Sequence, residues 1–201
     1  ISCSSGLTLL CLSRNSGREK NITPISFYLQ DGEITFCMSV VKVDNGSALI
    51  VVDVQNDFMP SGALPVEGGD KVIGPLNRYI GIFEKRGRPI VFTRDWHPPN
   101  HISFKENGGP WPRHCVQNTF GAELHPDLKI PDSAIIISIG KGADPMTESY
   151  SAFQGTQLSK ILKGRGISKL FVGGLATDYC VKATIVDALE EGFDADFLAD
   201  A

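Results

Sequence analysis

The stretch S-A-L-I-V-V-D, Ser47 to Asp53, decides the fold, because Ala48 to Val52 run apolar without a polar break and then stop at a carboxylate. A strand with one wet face alternates, whereas an unbroken run of this length suits a strand covered by helices on both faces of a parallel sheet. Working outward, Val72, Ile73, Leu76, Ile80 and Phe83 recur at helical spacing and end at Gly87, and Pro89 to Thr93 reads as a second strand. Ile135 to Ile139 is a third strand, Leu158, Ile161 and Leu162 mark a short helix, and Lys169 to Val172 is a fourth strand. Asp178 to Glu191 reads as a helix with Val181, Ile185, Ala188 and Leu189 inward, followed by a fifth strand, Asp194 to Leu198. Strands alternating with helices in this way predict an α/β fold with a mainly parallel sheet.

Length and composition agree with that reading. The 201 residues are 42% hydrophobic and 21% charged, enough to bury the core of one compact domain. Nineteen Lys and Arg against twenty-three Asp and Glu give a formal charge of −4, which supplies no field for holding phosphate backbones, so nucleic acid is not an expected partner. No stretch approaches the roughly twenty apolar residues of a membrane helix, and no membrane partner is expected. Five cysteines without a C-x-x-C pair suggest neither a disulfide framework nor a thiolate zinc site, and fit a reducing compartment, the cytoplasm.

Residues 1–37 are Ser-rich, lack a clean period until about Ile25 and start at Ile1. They read as an appendage, either a disordered, transit-like leader that would direct organellar import or a translated upstream region, with the domain proper at 38–201.

Ligands of open parallel sheets bind beyond the carboxyl ends of the strands, and the residues found there are chemically consistent. The first strand exits at Asp53, the second at Asp95 and His97, the third at Lys141, and the fourth at Gly173-Gly174, leading to Thr177-Asp178-Tyr179-Cys180. Cys180 lies in the first turn of a helix, where free N–H groups favour a thiolate, and the small-residue turn before it lets backbone amides approach an oxyanion. Asp53, leaving the apolar sheet, suits a general base, and Lys141 suits a charge partner for both. Acid, cation and thiol together are what amide hydrolysis through a thioester requires.

Three of the four histidines, His97, His101 and His114, fall with Asp95 in one irregular segment, a donor set suited to zinc or iron, although spacing alone does not say which of them ligate. Phe58, Trp96, Trp111 and Tyr150 also lie in the exit loops and could wall a flat ring.

The motifs D-V-Q-N-D-F from Asp53, T-R-D-W-H-P-P-N-H-I-S-F from Thr93, G-G-P-W-P-R-H-C-V-Q-N-T from Gly108, K-G-A-D from Lys141, S-Y-S-A-F from Ser149 and G-L-A-T-D-Y-C-V from Gly174 resemble the nicotinamidase branch of the isochorismatase-like cysteine hydrolases. The likeness runs from about Ala48 to the end of the chain. It implies a three-layer αβα fold and hydrolysis of nicotinamide to nicotinate and ammonia in NAD salvage. It further implies a triad of Asp53, Lys141 and Cys180, and an oxyanion hole from the amides of Ala176 and Cys180, with Leu175-Ala176 matching the family's cis peptide.

Metal ligation falls to Asp95, His97 and His114, with His101 as an additional ligand or a supporting group. Phe58, Trp111, Tyr150 and Leu175 match the substrate pocket. One divalent ion is implied, zinc first, with iron and manganese suited to the same donors; the expected partners are nicotinamide and, as a homo-oligomer, further copies of the chain. Another amide or enol-ether substrate, or a catalytically silent metal-binding member, are the rival readings. The family continues into a sixth strand and a closing helix beyond the position of Ala201, so a C-terminally incomplete domain is expected.

Overall fold

A computed structural model of the chain describes residues 8–10, 25–30, 33–38, 43–139 and 146–201. Among the described residues eight strands and three α-helices follow in the order β1 (Thr8–Leu10), β2 (Ile25–Gln30), β3 (Glu33–Met38), β4 (Ser47–Val52), α1 (Ile73–Lys85), β5 (Ile90–Asp95), β6 (Ile135–Ile139), α2 (Leu158–Gly164), β7 (Lys169–Gly174), α3 (Lys182–Glu190) and β8 (Asp194–Leu198). The main sheet has the order β1-β8-β7-β4-β5-β6 with every pairing parallel. The five strands expected from the sequence are all in it. Within the stretch read as an appendage, β1 pairs with β8 at the edge, and β2 and β3 form a separate antiparallel pair.

Every residue of β4 is fully buried, as an unbroken apolar run at the centre of a covered sheet requires. Leu49 and Val51 pack on one face with Leu76, Ile80 and Phe83 of α1; Ala48, Ile50 and Val52 pack on the other with Leu158 and Leu162 of α2 and Ile185 and Ala188 of α3. The period of two along β4 thus builds two cores, and the molecule has the three αβα layers expected. Helix α1 stops where Gly87 takes φ +60° and the N–H groups of Gly87 and Arg88 fold back onto Glu84 and Phe83. Among the described residues no helix is long and apolar enough to cross a membrane.

Two local expectations are corrected. The helix foreseen from Asp178 to Glu191 is instead one π turn, Thr177–Val181, followed by α3. Leu189, expected inward, is 51% exposed, whereas Val181, Ile185 and Ala188 are buried as expected. The inward position is taken by Thr184, whose hydroxyl accepts the Ala152 N–H at 3.1 Å, and this rotation turns Leu189 to the outside.

Candidate active site

Asp53 is the first residue past β4 and turns sharply, with φ +49°. The turn is held by Thr93 on the neighbouring strand β5, whose hydroxyl accepts the Asp53 N–H at 3.2 Å and donates to Asp53 Oδ1 at 2.6 Å. Among the described residues the fully buried Oδ2 meets no nitrogen or oxygen donor, and the Cys180 thiol is close enough to help hold the carboxyl down. On the other side of β4, Gly174 adopts φ +124° and lies so close to Val52 that a Cβ would overlap its backbone. Only glycine lets β7 close in here, after which the chain passes through a cis Leu175-Ala176 bond into the π turn bearing Cys180. Asp53, Asp95 and Cys180 thereby bring ligating atoms within 4.8 Å of one another.

Burial pushes the Asp53 carboxyl well above its ordinary range, and nearby Asp95 pushes the same way, while the hydrogen bonds from Thr93 and Cys180 oppose both. Burial, then the charges of Asp53 and Asp95, also push the Cys180 thiol up. The thiolate expected from a helix start is therefore not what these neighbours favour. The proton rests on sulfur beside a carboxylate that holds protons unusually well, an arrangement for passing it between the two.

Asp95 ends β5, and its Oδ2 lies 3.5 Å from His97 Nε2 and 3.8 Å from His114 Nε2. These three buried groups offer ligand atoms within 4.8 Å of one another. His114 Nδ1 donates to the Pro112 carbonyl at 2.7 Å, which fixes the tautomer and leaves the Nε2 lone pair facing Asp95. Burial lowers the pKa of both His97 and His114, keeping them neutral as metal ligation demands. Asp95 is raised to about 6, first by burial. His101 stands apart: Ser103 Oγ lies 2.7 Å from its Nδ1 and the Thr147 carbonyl accepts from its Nε2 at 3.1 Å. With both ring nitrogens engaged, His101 supports the cluster by packing on the His97 ring, 4.3 Å between centroids.

Residues of both clusters line a cavity of about 230 Å³, below the usual range for drug-sized ligands and suited to one substituted ring. It is lined by Phe58, Val66, Trp111, Tyr150 and Tyr179, together with Asp95, His97 and His114 and with Ala176 and Cys180. The Trp111 indole N–H donates to the Tyr150 hydroxyl at 3.1 Å, and Tyr179 meets the Trp111 ring edge to face.

Residues 47–201 match the family described as the isochorismatase domain. The chain belongs to the isochorismatase family. It is 42% identical over 174 residues to the nicotinamidase of Escherichia coli, covering 76% of this chain and 81% of that protein. Among solved structures of the isochorismatase type it resembles the pyrazinamidase of Pyrococcus horikoshii in complex with zinc, at 57% identity and TM-score 0.74, covering 78% of this chain and 85% of that one. It also resembles PnC1 from L. infantum in complex with nicotinate, at 39% identity and TM-score 0.70, covering 80% and 82%.

In this isochorismatase-family site the structure brings together Asp53, Cys180, Ala176, Asp95, His97, His114, Phe58, Trp111 and Tyr150. Lys141 lies outside the described residues. Leu175, expected in the ring pocket, is buried in the α1-side core and is not among the residues lining the cavity. Trp96 is likewise off the cavity, covered by the Arg94 guanidinium 3.9 Å above its ring. Reasoning from sequence missed Leu64, Pro65, Val66, Glu148, Asp178 and Tyr179 as lining residues. Tyr179 had a usable signal, its place beside Cys180; the others are set by loop courses that no local pattern encodes.

Proposed function

We propose that the chain is an amidohydrolase converting nicotinamide and water into nicotinate and ammonia through a thioester on Cys180. The observation that carries the reading is a single cavity lined both by the buried Cys180 thiol, with the Asp53 carboxyl close to it, and by Asp95 with two neutral imidazoles, among aromatic side chains. The donor set fits a divalent ion by its chemistry, two neutral histidines, one with its tautomer fixed, and one carboxylate, and zinc, iron and manganese all suit it. When bound, such an ion supplies a Lewis-acid contact for the pyridine nitrogen.

The residues of the chain do the rest. Asp53 accepts the Cys180 proton as sulfur attacks the carboxamide carbon. Amides of Ala176 and Cys180 hold the tetrahedral oxyanion, and Asp53 returns the proton to the departing nitrogen, which leaves as ammonia. Water then attacks the thioester carbonyl, Asp53 takes its proton, and the thiol is restored. Lys141 balances the charge of Asp53 by the family resemblance. The product feeds salvage of pyridine nucleotides.

Ammonia release from nicotinamide, pyrazinamide and benzamide, with mass analysis of the quenched protein, tests the reading. Nicotinamide turnover and a nicotinoyl mass on the Cys180 peptide are expected, and Cys180→Ala should lose both while still binding nicotinamide in calorimetry. Ammonia release by Cys180→Ala at the parent rate would end it.

A further inference from the structure

The three residues that follow Asp53 and Val54 make no contact with the cavity floor, yet each reaches into the loop that carries the metal-type donors. Gln55, fully buried, spans the backbone of Asp95: its Oε1 accepts the Asp95 N–H at 2.8 Å and its Nε2 donates to the carbonyls of Asp95 and Ala122, both at 2.8 Å. Only a primary amide offers the donor and acceptor this needs. Asn56 Nδ2 donates to the Phe120 carbonyl at 2.8 Å. Asp57 Oδ2 accepts the Cys115 N–H at 2.7 Å, and Oδ1 takes the Ala63 N–H at 3.3 Å.

Cys115 is the junction between the two histidines. It follows His114 directly, sits at φ +45°, and its carbonyl accepts the His97 N–H at 2.9 Å. A hydrogen bond from its N–H to Asp57 therefore ties both imidazole-bearing backbones to the β4 exit. Gly121 backs the same carboxylate so tightly that a Cβ there would overlap it.

Resting on the metal reading above, we infer that Gln55 and Asp57 are positioning residues of the metal centre. Gln55 fixes Asp95, and Asp57, through Cys115, fixes the spacing of His97 and His114. The segment after the catalytic Asp53 is in this way a brace that sets the ligand cluster at a constant distance from the nucleophile. Partners of this outer kind change metal affinity by about 10- to 100-fold when removed.

The test is zinc affinity by competition with a chromophoric chelator, the visible spectrum of the cobalt-loaded protein, and iodoacetamide labelling of the Cys180 peptide in the metal-free protein. Asp57→Ala should bind zinc about 10- to 100-fold more weakly with altered cobalt bands, while metal-free Cys180 labelling stays within about twofold of the parent. Asp57→Asn, whose amide carbonyl still accepts the Cys115 N–H, should stay within a few-fold of the parent. Gly121→Ala, which keeps Asp57 but pushes on it, should resemble Asp57→Ala. Parent-like zinc affinity and cobalt spectra in Asp57→Ala would overturn the brace, as would an Asp57→Asn as weak as the alanine variant, because charge and not the hydrogen bond would then be acting. If Asp57→Ala fails to fold, the Asp57→Asn and Gly121→Ala pair decides by the same criteria. A parent protein that binds no divalent ion would remove the metal reading itself, an outcome distinct from either of these.

Discussion

Replacing Thr93 with Val isolates the environment of the proposed base. The Thr93 hydroxyl donates to Asp53 Oδ1 at 2.6 Å and is a cause holding that carboxyl down against burial and the charge of Asp95. A hydrogen bond to a charged group contributes about 1.5–3 kcal/mol, and 1.36 kcal/mol corresponds to one pKa unit, so its loss should raise the Asp53 carboxyl by about 1 to 2 units. Asp53 must be ionised to take the Cys180 proton, so the acid limb of kcat/KM should move to higher pH by that amount. The limb belongs to the Asp53 and Cys180 pair and lies above the ordinary carboxylate range already in the parent. Valine also leaves the Asp53 N–H without its 3.2 Å acceptor, costing about 1–3 kcal/mol, or roughly 2–4 °C of Tm per kcal/mol at this chain length. The assay is ammonia release across pH, with Thr93→Ser expected to restore the parent profile. A folded Thr93→Val protein whose acid limb stays put, or moves down, refutes the assignment of Asp53 as the base.

Three further outcomes follow from the same geometry. Asp53→Asn should abolish turnover yet gain stability relative to the parent as pH rises: a carboxyl raised by folding keeps its proton where the unfolded chain has lost it, so parent stability falls from the unfolded value near about 3.9 upward through the folded one. Equal Tm gaps between the two proteins across that window would contradict the raised carboxyl. Zinc affinity should fall below about pH 6, where Asp95 takes up a proton, with a slope near one proton because burial already keeps His97 and His114 neutral; a slope of two or three, measured by chelator competition, would say the histidines titrate there instead. Benzamide, lacking the ring nitrogen, should be a far poorer substrate than nicotinamide in the zinc-loaded protein, and the ratio of their kcat/KM values should shrink after verified metal removal. An unchanged ratio would detach the metal from ring recognition.

What could be read from sequence was what depends on local repetition or on strand exits. The run from Ala48 to Val52 announces a strand buried on both faces, and with it the place where Asp53 must emerge. Asp95, His97 and Cys180 fall at the ends of neighbouring parallel strands, so chain order alone brings them to one edge. Long-range hydrogen bonds were not legible: Gln55 meets Asp95 forty residues away, and Asp57 meets Cys115 at fifty-eight. The misplacement of Leu189 has the same origin, since Thr184 ranks low by hydropathy but supplies the acceptor that Ala152 needs. His101 looks like a ligand in sequence because spacing cannot show that Ser103 and the Thr147 carbonyl already occupy its nitrogens.

The electrostatics of the cavity explain why an amidase of this design joins a metal cluster to a cysteine dyad. Burial and then the charge of Asp95 raise Asp53, burial and then Glu148 raise Asp95, and both carboxylates burden the Cys180 thiol. Two buried carboxylates this near cannot both be ionised without a counter-charge, and among the described residues no lysine or arginine lines the cavity. On the proposed reading, positive charge comes from a divalent ion at Asp95, His97 and His114, and from Lys141 in the family pattern. The same cation that anchors a ring nitrogen would then relieve Asp95 of its pressure on Asp53, leaving one base to exchange one proton with one thiol. Substrate positioning and base strength would then be coupled through Asp95, the residue common to both clusters.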